Sequence, residues 1–537
     1  MFMHQLRTQN LSFHFPNSRV ALSNISLSFH AKKYGIIGDN GTGKTTLLKL
    51  LNGELTADSG SVTATGKILT LPQTYSGIAT NDSIKKVLGV EPYIVALERV
   101  SAGVATEIDH DLLNGNWCIE SRIQSALSQV SLWPIQLNKR FQELSEGQKT
   151  KIFLAKALLF NVSFILMDEP TNNLDTSTKQ VLYDFISHAQ CGVIVISHDR
   201  SLLNLVNEIL EITPQGINHY GGNFCFYENQ KNTFQMAIEK QHEQAKQALK
   251  KTKLSLQSSK QKHDRQASRG RKAFKRGHVD KLTARSKQGR SEKTLGKLAI
   301  TADKMLQAAQ KKKMELNSKL EKKIDITAKM SEIRVPEGKR VLSVRSIDFY
   351  YQHAYCIIEN FSLEVIGPER IAITGDNGVG KSTLVKLIAG ELHPTAGEII
   401  TGVNKIVYID QNTSRLNPRK TLMENFLDFN PESTAFEAHR ALAAFMFRSE
   451  AANKNMSKLS GGEKVRANLA ISLMAKDPPQ LLILDEPTNH LDLRSIQTIE
   501  EIIVQYKGAL VIISHDKTFI SKLNINKVVT LKRKLHE

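Results

Sequence analysis

Short, continuous apolar runs recur along two separate stretches of the chain. KKYGIIG and ERIAITG each lead into a glycine-rich loop, and TTLLKLLNG and STLVKLIAG follow with helical spacing of their apolar positions. VSFILMD and QLLILD, and later GVIVIS and ALVIIS, have the length and composition of strands buried on both faces. The pattern therefore predicts an α/β fold with parallel strands in each stretch, in the strand, loop and helix order of P-loop proteins.

The two stretches are copies of one another. GDNGTGKTT at 38–46 returns as GDNGVGKST at 375–383, LMDEPTNNLD at 166–175 returns as ILDEPTNHLD at 483–492, and ISHD occurs at 196–199 and 513–516. The first copy has about 20 additional residues between Gln73 and Ser145. We predict three parts: a first domain at 1–231, a linker at 232–340 and a second domain at 341–537, with no domain appended after it.

The positive charge of the chain is concentrated in the predicted linker. Residues 232–340 contain 30 Lys and Arg against 11 Asp and Glu, so this segment accounts for the whole net charge of +19. Residues 232–262 and 298–332 are rich in helix-forming residues, and 267–290 between them has nine basic residues against one acid, Asp280. This predicts a long basic α-helical hairpin whose tip suits a polyanion such as RNA. A solvated linker is the alternative interpretation.

The basic residues chosen as candidate RNA contacts are those at the start of the tip: Arg269, Arg271, Lys272, Lys275 and Arg276.

Composition narrows the class of protein further. No apolar run approaches the roughly 20 residues that span a bilayer, and the N-terminus lacks the pattern of a signal peptide. The four cysteines lie far apart without a C-x-x-C pair, which argues against a structural zinc site and fits free thiols. We therefore expect a cytoplasmic protein without a membrane partner.

Both glycine-rich loops match G-x-x-x-x-G-K-[ST], in which backbone N–H groups and the following helix N-terminus surround nucleotide phosphates. Lys44 and Lys381 are expected to reach the β- and γ-phosphates, and Thr45 and Ser382 to hold Mg²⁺. The predicted nucleotide contacts comprise Gly38, Asp39, Asn40, Gly41, Thr42, Gly43, Lys44, Thr45, Thr46, Gly375, Asp376, Asn377, Gly378, Val379, Gly380, Lys381, Ser382 and Thr383.

Four further residue types end strands or follow them in both copies. An aspartate can hold Mg²⁺, the next glutamate can polarise the attacking water, a histidine after the following strand can contact the γ-phosphate, and a glutamine can touch both metal and water. A solvated acidic pair is the alternative for the carboxylates, but their position downstream of a P-loop favours catalysis. These candidates are Asp168, Glu169, His198 and Gln73 in the first copy, and Asp485, Glu486, His515 and Gln411 in the second.

LSEGQ at 144–148 and LSGGE at 459–463 precede helical runs, and with the motifs above they resemble the signature of ATP-binding cassette ATPases. The resemblance implies that two cassettes stack head to tail, so that each ATP lies between one P-loop and the other signature. Site one then joins the first P-loop to the second signature, and site two the reverse. It adds these ATP contacts: Ser145, Gly147, Gln148, Ser460, Gly461, Gly462 and Glu463, with Phe15 and Tyr351 as aromatics for adenine.

The first signature departs from the family pattern. Glu146 stands where the second copy has Gly461, which would place a carboxylate near the phosphates of site two. We expect site two still to bind ATP, but with a different rate from site one.

Tandem cassettes, no membrane span and a basic helical linker together resemble the ABC-F family. The resemblance implies an ATPase that binds the ribosome at the tRNA exit site, contacts rRNA and the P-site tRNA through its linker, and regulates, rescues or protects translation. We expect a monomer with an intramolecular pair of cassettes, and no DNA partner. The alternatives are an importer's cytosolic ATPase subunit, an antibiotic-resistance ribosome protection factor, and a DNA-repair or chromosome ATPase.

Overall fold

The computed structural model describes most of the chain. The residues described are 4–15, 20–72, 75, 77–79, 81–172, 174–213, 215–275, 304, 307–308, 311, 314, 333, 335–351, 356–410, 415–447, 449–489 and 491–531. The chain divides into two compact units, of which one is Met1–Cys225 with Ile324–Glu537 and the other is Phe226–Lys323.

The first copy contains nine strands and eight helices among its described residues. The strands are β1 Leu6–His14, β2 Val20–Phe29, β3 Lys33–Gly38, β4 Ser59–Ala64, β5 Ile68–Leu71, β6 Phe164–Asp168, β7 Gly192–Ile196, β8 Glu208–Thr213 and β9 Gly216–Tyr220. The helices are α1 Lys44–Leu51, α2 Ile84–Leu88, α3 Glu91–Ser101, α4 Glu107–Leu113, α5 Ile119–Gln129, α6 Glu146–Leu159, α7 Thr176–His188 and α8 Arg200–Leu203.

The second copy repeats this order with fewer helices among its described residues. Its strands are β10 Arg340–Tyr350, β11 Cys356–Ile366, β12 Arg370–Thr374, β13 Ala396–Thr401, β14 Ile406–Ile409, β15 Leu481–Asp485, β16 Ala509–Ile513 and β17 Lys527–Thr530. Its helices are α10 Lys381–Ile388, α11 Leu422–Phe429, α12 Ala435–Ala444, α13 Gly461–Leu473, α14 Leu493–Gln505 and α15 Lys517–Lys522.

Each copy has two sheets. The main sheets run β5-β6-β7-β3-β8-β9 and β14-β15-β16-β12-β17, and every pair in them is parallel except β8 with β9. The smaller antiparallel sheets run β2-β1-β4 and β11-β10-β13. All residues of β6, β7, β15 and β16 are buried, which explains why these strands read as unbroken apolar runs. The prediction of two α/β domains is confirmed.

The additional residues of the first copy form two short helices. α3 and α4 lie between α2 and α5, whereas α11 is followed directly by α12 in the second copy. Thr106 caps α4 through a reciprocal pair of hydrogen bonds with Asp109, whose carboxylate also pairs with Arg99 of α3 at 3.2 Å. The insert is therefore a compact helical pair.

The described part of the predicted linker begins with a long helix. α9 runs from Phe224 to Lys275, so it begins ahead of the predicted boundary at 232 and continues into the segment assigned to the tip. At 1.5 Å per residue its 52 residues span about 78 Å. Proline is absent from the helix and Gly270 alone does not interrupt it, because strong helix formers surround that glycine. Among residues 276–332, only 304, 307–308, 311 and 314 are described, and these are helical.

No helix within the described ranges is both long enough and apolar enough to cross a membrane.

Arg370 at the start of β12 joins three parts of the second copy. Its buried guanidinium donates to the carbonyl oxygens of Leu523 at 2.7 Å and Ile503 at 3.1 Å, and also to that of Tyr506. The corresponding residue of the first copy, Lys33, donates to one carbonyl, that of Ser187, at 2.7 Å. Arg370 therefore links the sheet to the C-terminal ends of α14 and α15.

We expect Arg370→Met to lower the free energy of unfolding of the second copy by about 3 kcal/mol, because buried carbonyl groups lose their donor. Urea unfolding, monitored by far-UV circular dichroism, measures this change. Lys33→Met is the matched control and should cost about 1 kcal/mol or less, since one partly exposed hydrogen bond is lost. Equal losses in the two variants would contradict the role assigned to Arg370.

Candidate active site

The two glycine-rich loops wrap around their own lysines. The Lys44 ammonium donates to the carbonyl oxygens of Gly38 at 2.7 Å and Asp39 at 3.1 Å, and Lys381 makes the same two bonds in the second copy. Gly38 has a φ of 152°, and a Cβ there would lie 2.5 Å from the Ile212 oxygen, so only glycine fits. Burial lowers the pKa of both lysines, and nearby carboxylates offset part of that effect.

The predicted metal-binding residues come together in pairs. Asp168 at the end of β6 accepts a hydrogen bond from the Thr45 hydroxyl at the start of α1, and Asp485 accepts one from Ser382. Burial raises the pKa of both aspartates. A buried carboxylate beside a hydroxyl supplies the hard oxygen ligands that Mg²⁺ prefers, so these residues fit the ion.

The predicted catalytic glutamates have an unusual backbone conformation. Glu169 and Glu486 adopt left-handed φ angles of 47° and 46°, which non-glycine residues rarely adopt. Their backbone N–H groups donate to the carbonyl oxygens of Ile196 at 2.9 Å and Ile513 at 3.0 Å, on the neighbouring strand. Each glutamate is therefore held by the sheet at the carboxyl end of its strand.

A histidine faces each glutamate. Glu169 Oε1 lies 3.2 Å from His198 Nε2, and Glu486 Oε1 lies 3.5 Å from His515 Nε2. Burial raises the pKa of Glu169 to about 8 and that of Glu486 to about 7. Burial also lowers the pKa of His198 to about 3 and that of His515 to about 4, so both imidazoles are neutral at neutral pH.

Many of the first copy's candidate residues line one cavity of about 360 Å³. That volume is in the range of small-molecule binding sites. Phe15 contributes to the wall beside the P-loop and packs edge-to-face on Phe13. The Tyr351 hydroxyl of the second copy lies 3.4 Å from the Thr383 hydroxyl. The cavity's lining residues are Phe15, Asn40, Gly41, Gly43, Lys44, Thr45, Thr46, Asp168, Glu169, Asn172, Ile196 and His198.

The signature residues form the N-terminal caps of α6 and α13. Ser145 caps α6 in a reciprocal pair of hydrogen bonds with Gln148, and Ser460 caps α13 in the same way with Glu463. A Cβ on Gly147 would lie 2.9 Å from the Thr178 hydroxyl of α7. Contact between either signature and the opposite P-loop remains a prediction.

An aspartate that sequence reasoning missed connects the two copies. Asp492 caps α14 by accepting from the Ser495 N–H at 2.8 Å, and its other oxygen accepts from the Asn40 N–H of the first P-loop at 3.1 Å. Its equivalent, Asp175, caps α7 and lies near enough to Lys381 to offset a small part of the lowering of that lysine's pKa by burial. Both DEPTN motifs are followed, after one residue, by the same leucine and aspartate, and this repetition could have drawn attention to the two aspartates.

Some candidates lie outside the described residues, and others are only partly described. Gln73, Gln411 and Arg276 fall outside. Arg269 lies on α9 with an exposed side chain, and Arg271, Lys272 and Lys275 lie in the same helix.

A family model described as ABC transporter matches the chain twice, over residues 22–172 and 358–489. The two matched ranges include the P-loops, the signatures and the DEP motifs of both copies. Together these ranges make up more than half of the chain. The chain belongs to the ATP-binding cassette family. Each copy is thus a cassette, and the protein is an ATPase with two of them.

Three relatives that align with almost the whole chain are named as ATP-binding proteins or as a member of the F family of ABC transporters. The ATP-binding protein YheS of Escherichia coli strain K12 is 30% identical over 516 residues, which cover 93% of this chain and 74% of that protein. The ATP-binding protein Uup of Buchnera aphidicola is 32% identical over 518 residues, which cover 94% of this chain and 78% of that protein. ABC transporter F family member 5 of Arabidopsis thaliana is 29% identical over 531 residues, covering 93% and 70%.

Among solved structures, an RNase-L inhibitor has a similar fold, with a TM-score of 0.53 and 19% identity, over 98% of this chain and 88% of that one. The recognition of an ABC-F-like ATPase with two cassettes is confirmed.

The charge of Glu146 in the first cassette's signature is compensated within its own helix. Lys149, one turn along α6, places its buried ammonium 3.0 Å from Glu146 Oε1, while half of the glutamate side chain stays exposed. The expected effect of Glu146 on site two is therefore smaller than that of an unpaired carboxylate.

Replacing Glu169 and Glu486 together by Gln should abolish ATP hydrolysis while ATP binding is retained, because glutamine keeps the shape but cannot accept the proton of the attacking water. Phosphate release and equilibrium nucleotide binding are the two measurements. Glu143→Gln in the same protein is a control for loss of a carboxylate outside the site. Hydrolysis at the unmodified rate in the double variant would show that these glutamates are not the bases.

Lys149→Met should weaken nucleotide binding at site two by roughly threefold to tenfold, because the carboxylate of Glu146 loses its partner; this corresponds to about 1 kcal/mol. Glu146→Gly alone should tighten binding slightly, and the two changes combined should restore affinity. Nucleotide titration in a Lys44→Ala background isolates site two. If Lys149→Met leaves the affinity unchanged, Glu146 points away from the phosphates.

Proposed function

We propose that this ABC-F-like ATPase binds the ribosome and uses ATP-driven closure of its two cassettes to regulate, rescue or protect translation. The observation that carries the proposal is the charge of α9. This helix has 13 Lys and Arg against four Asp and Glu, whereas the chain outside 232–340 is electrically neutral. A separate helical unit with that excess suits the phosphate backbone of folded RNA.

Relatives support the proposal by their organisation. Two of them align with 93% of this chain, a share that spans both of its cassettes, and one is named as an F family member. We propose the tRNA exit site as the binding position, with contacts from the hairpin to rRNA and the P-site tRNA. The corresponding location in the cell is the cytoplasm.

At each ATP site the residues have distinct tasks. Lys44 and the P-loop N–H groups bind the phosphates, Glu169 accepts a proton from the attacking water, and the neutral His198 contacts the γ-phosphate. Thr45 and Asp168 would hold Mg²⁺, and Gln73 would complete its surroundings. When bound, the ion neutralises phosphate charge. Lys381, Glu486, His515, Ser382, Asp485 and Gln411 take the same tasks in the second site.

Closure of the cassettes should determine the affinity for ribosomes. We expect the Glu169→Gln, Glu486→Gln protein with ATP to co-sediment with ribosomes, and the nucleotide-free protein to remain in the supernatant. If both proteins, or neither of them, sediment with ribosomes, the proposal is contradicted. Binding to a membrane fraction alone would favour the importer alternative.

The basic residues at the start of the tip should provide RNA affinity without contributing to ATP chemistry. We expect alanine at these five positions to lower ribosome affinity and to flatten its dependence on salt, because fewer counterions are released on binding. The substituted residues are Arg269, Arg271, Lys272, Lys275 and Arg276.

Sedimentation with ribosomes over a salt series measures both quantities. The matched control removes the same number of charges from an earlier part of α9, at the exposed Lys240, Lys246, Lys250, Lys251 and Lys262. Alanine favours helix in both variants. Basal ATPase activity should stay unchanged in both. If the tip variant and the control bind alike, the tip is a solvated linker.

A further inference from the structure

One helix of the second cassette, α14, makes three polar contacts with the first cassette. Its cap, Asp492, accepts from the Asn40 N–H of the first P-loop at 3.1 Å. Arg494 in its first turn lies 3.7 Å from Asp39 of the same loop. Glu500, two turns further along, accepts from Arg200 of α8 at 2.5 Å and 3.2 Å. The first two contacts involve the first P-loop, and Arg200 follows His198 after one intervening residue. All three contacts therefore adjoin site one.

The pair of Arg200 and Glu500 is the strongest of these contacts. The two residues are 2% and 6% exposed, and the guanidinium meets both oxygens of the carboxylate. Lys522 adds a second cation 3.5 Å from Glu500. A buried bidentate ion pair fixes the two surfaces in one geometry, because a small displacement that breaks it before water enters leaves two buried charges uncompensated.

The opposite side of the cassette interface cannot repeat these ion pairs. The repeat places Ser177 at the position of Arg494 and Tyr183 at that of Glu500, and neither side chain carries a charge. The Tyr183 hydroxyl donates instead to Asp199 of its own cassette, at 2.6 Å. The asymmetry is therefore built into the sequences of α7 and α14.

We infer that the two ATP sites open unequally, with the contacts of α14 keeping site one closed while nucleotide exchanges at site two. Arg200 and Glu500 act here as positioning residues, since they hold the two cassettes together around site one without touching the reacting atoms. This inference concerns the ATPase itself and does not depend on the proposed binding to ribosomes.

Dissociation of a fluorescent ATP analogue from the full chain tests the inference. In the Glu169→Gln, Glu486→Gln background, where hydrolysis is absent, two phases should be resolved. Lys44→Ala should remove the slow phase and Lys381→Ala the fast one. Adding Glu500→Gln should accelerate the slow phase at least tenfold and leave the fast phase within twofold. The exposed neighbour Glu501 provides the matched control, and Glu501→Gln should change neither phase.

Two further variants separate positioning from folding. Exchanging the charges, with Arg200→Glu and Glu500→Arg together, should restore the slow phase to within about threefold. Arg200→Met with Glu500→Met fills the buried volume without charge, so thermal unfolding should be preserved while the slow phase stays accelerated. Equal dissociation from both sites in the parent, equal acceleration of both phases by Glu500→Gln, or no effect of Glu500→Gln would each overturn the inference.

Discussion

The register of three parallel strands is the constraint on which both ATP sites depend. β6 pairs with β7 so that Asp168 lies opposite Ile196, and β7 pairs with β3 so that Ile36 lies opposite the same isoleucine. The residues that follow these positions are the P-loop, Glu169 and His198, which therefore emerge at one edge of the sheet. A slip of one residue in either pairing would turn these side chains to the other face. Every residue of β6 and β7 is in the core, so a slip would also disturb the close packing on both faces of the sheet.

Local sequence was sufficient for the residues that stand next to these strands. The P-loops, Asp168, Glu169 and His198 were predictable because each follows an apolar run and is repeated in the second copy. The start of α9 at Phe224 could have been predicted, because Gly221, Gly222 and Asn223 separate it from β9 and combine a turn signal with a preferred helix cap. The predicted linker boundary at 232 rested on composition and charge instead, and it falls eight residues after the helix begins. Boundaries of this kind are decided by packing and by capping, such as the hydrogen bond from the Cys225 N–H to Asn204 at 3.0 Å.

The contacts between the cassettes were beyond sequence reasoning for a different reason. Arg200 and Glu500 are 300 residues apart, and no periodic pattern links their positions. The search for repeats also selects for what the copies have in common, whereas this pair exists on one side only. Lys179 is a similar case: it lies near enough to Glu486 to offset a small part of the rise in that carboxyl's pKa caused by burial, while the repeat places Ile496 at its position. Differences between the copies thus matter as much as the motifs that relate them.

The two carboxylate oxygens of Asp492 have hydrogen-bond partners in different cassettes. One oxygen accepts from Ser495 within its own helix, and the other accepts from Asn40 across the interface. Separation of the cassettes would hydrate only the second oxygen, and the first would continue to cap α14. The contact can therefore be broken and remade whenever site one opens, without fraying the helix that presents it. A reversible contact and a permanent one thus share a single side chain.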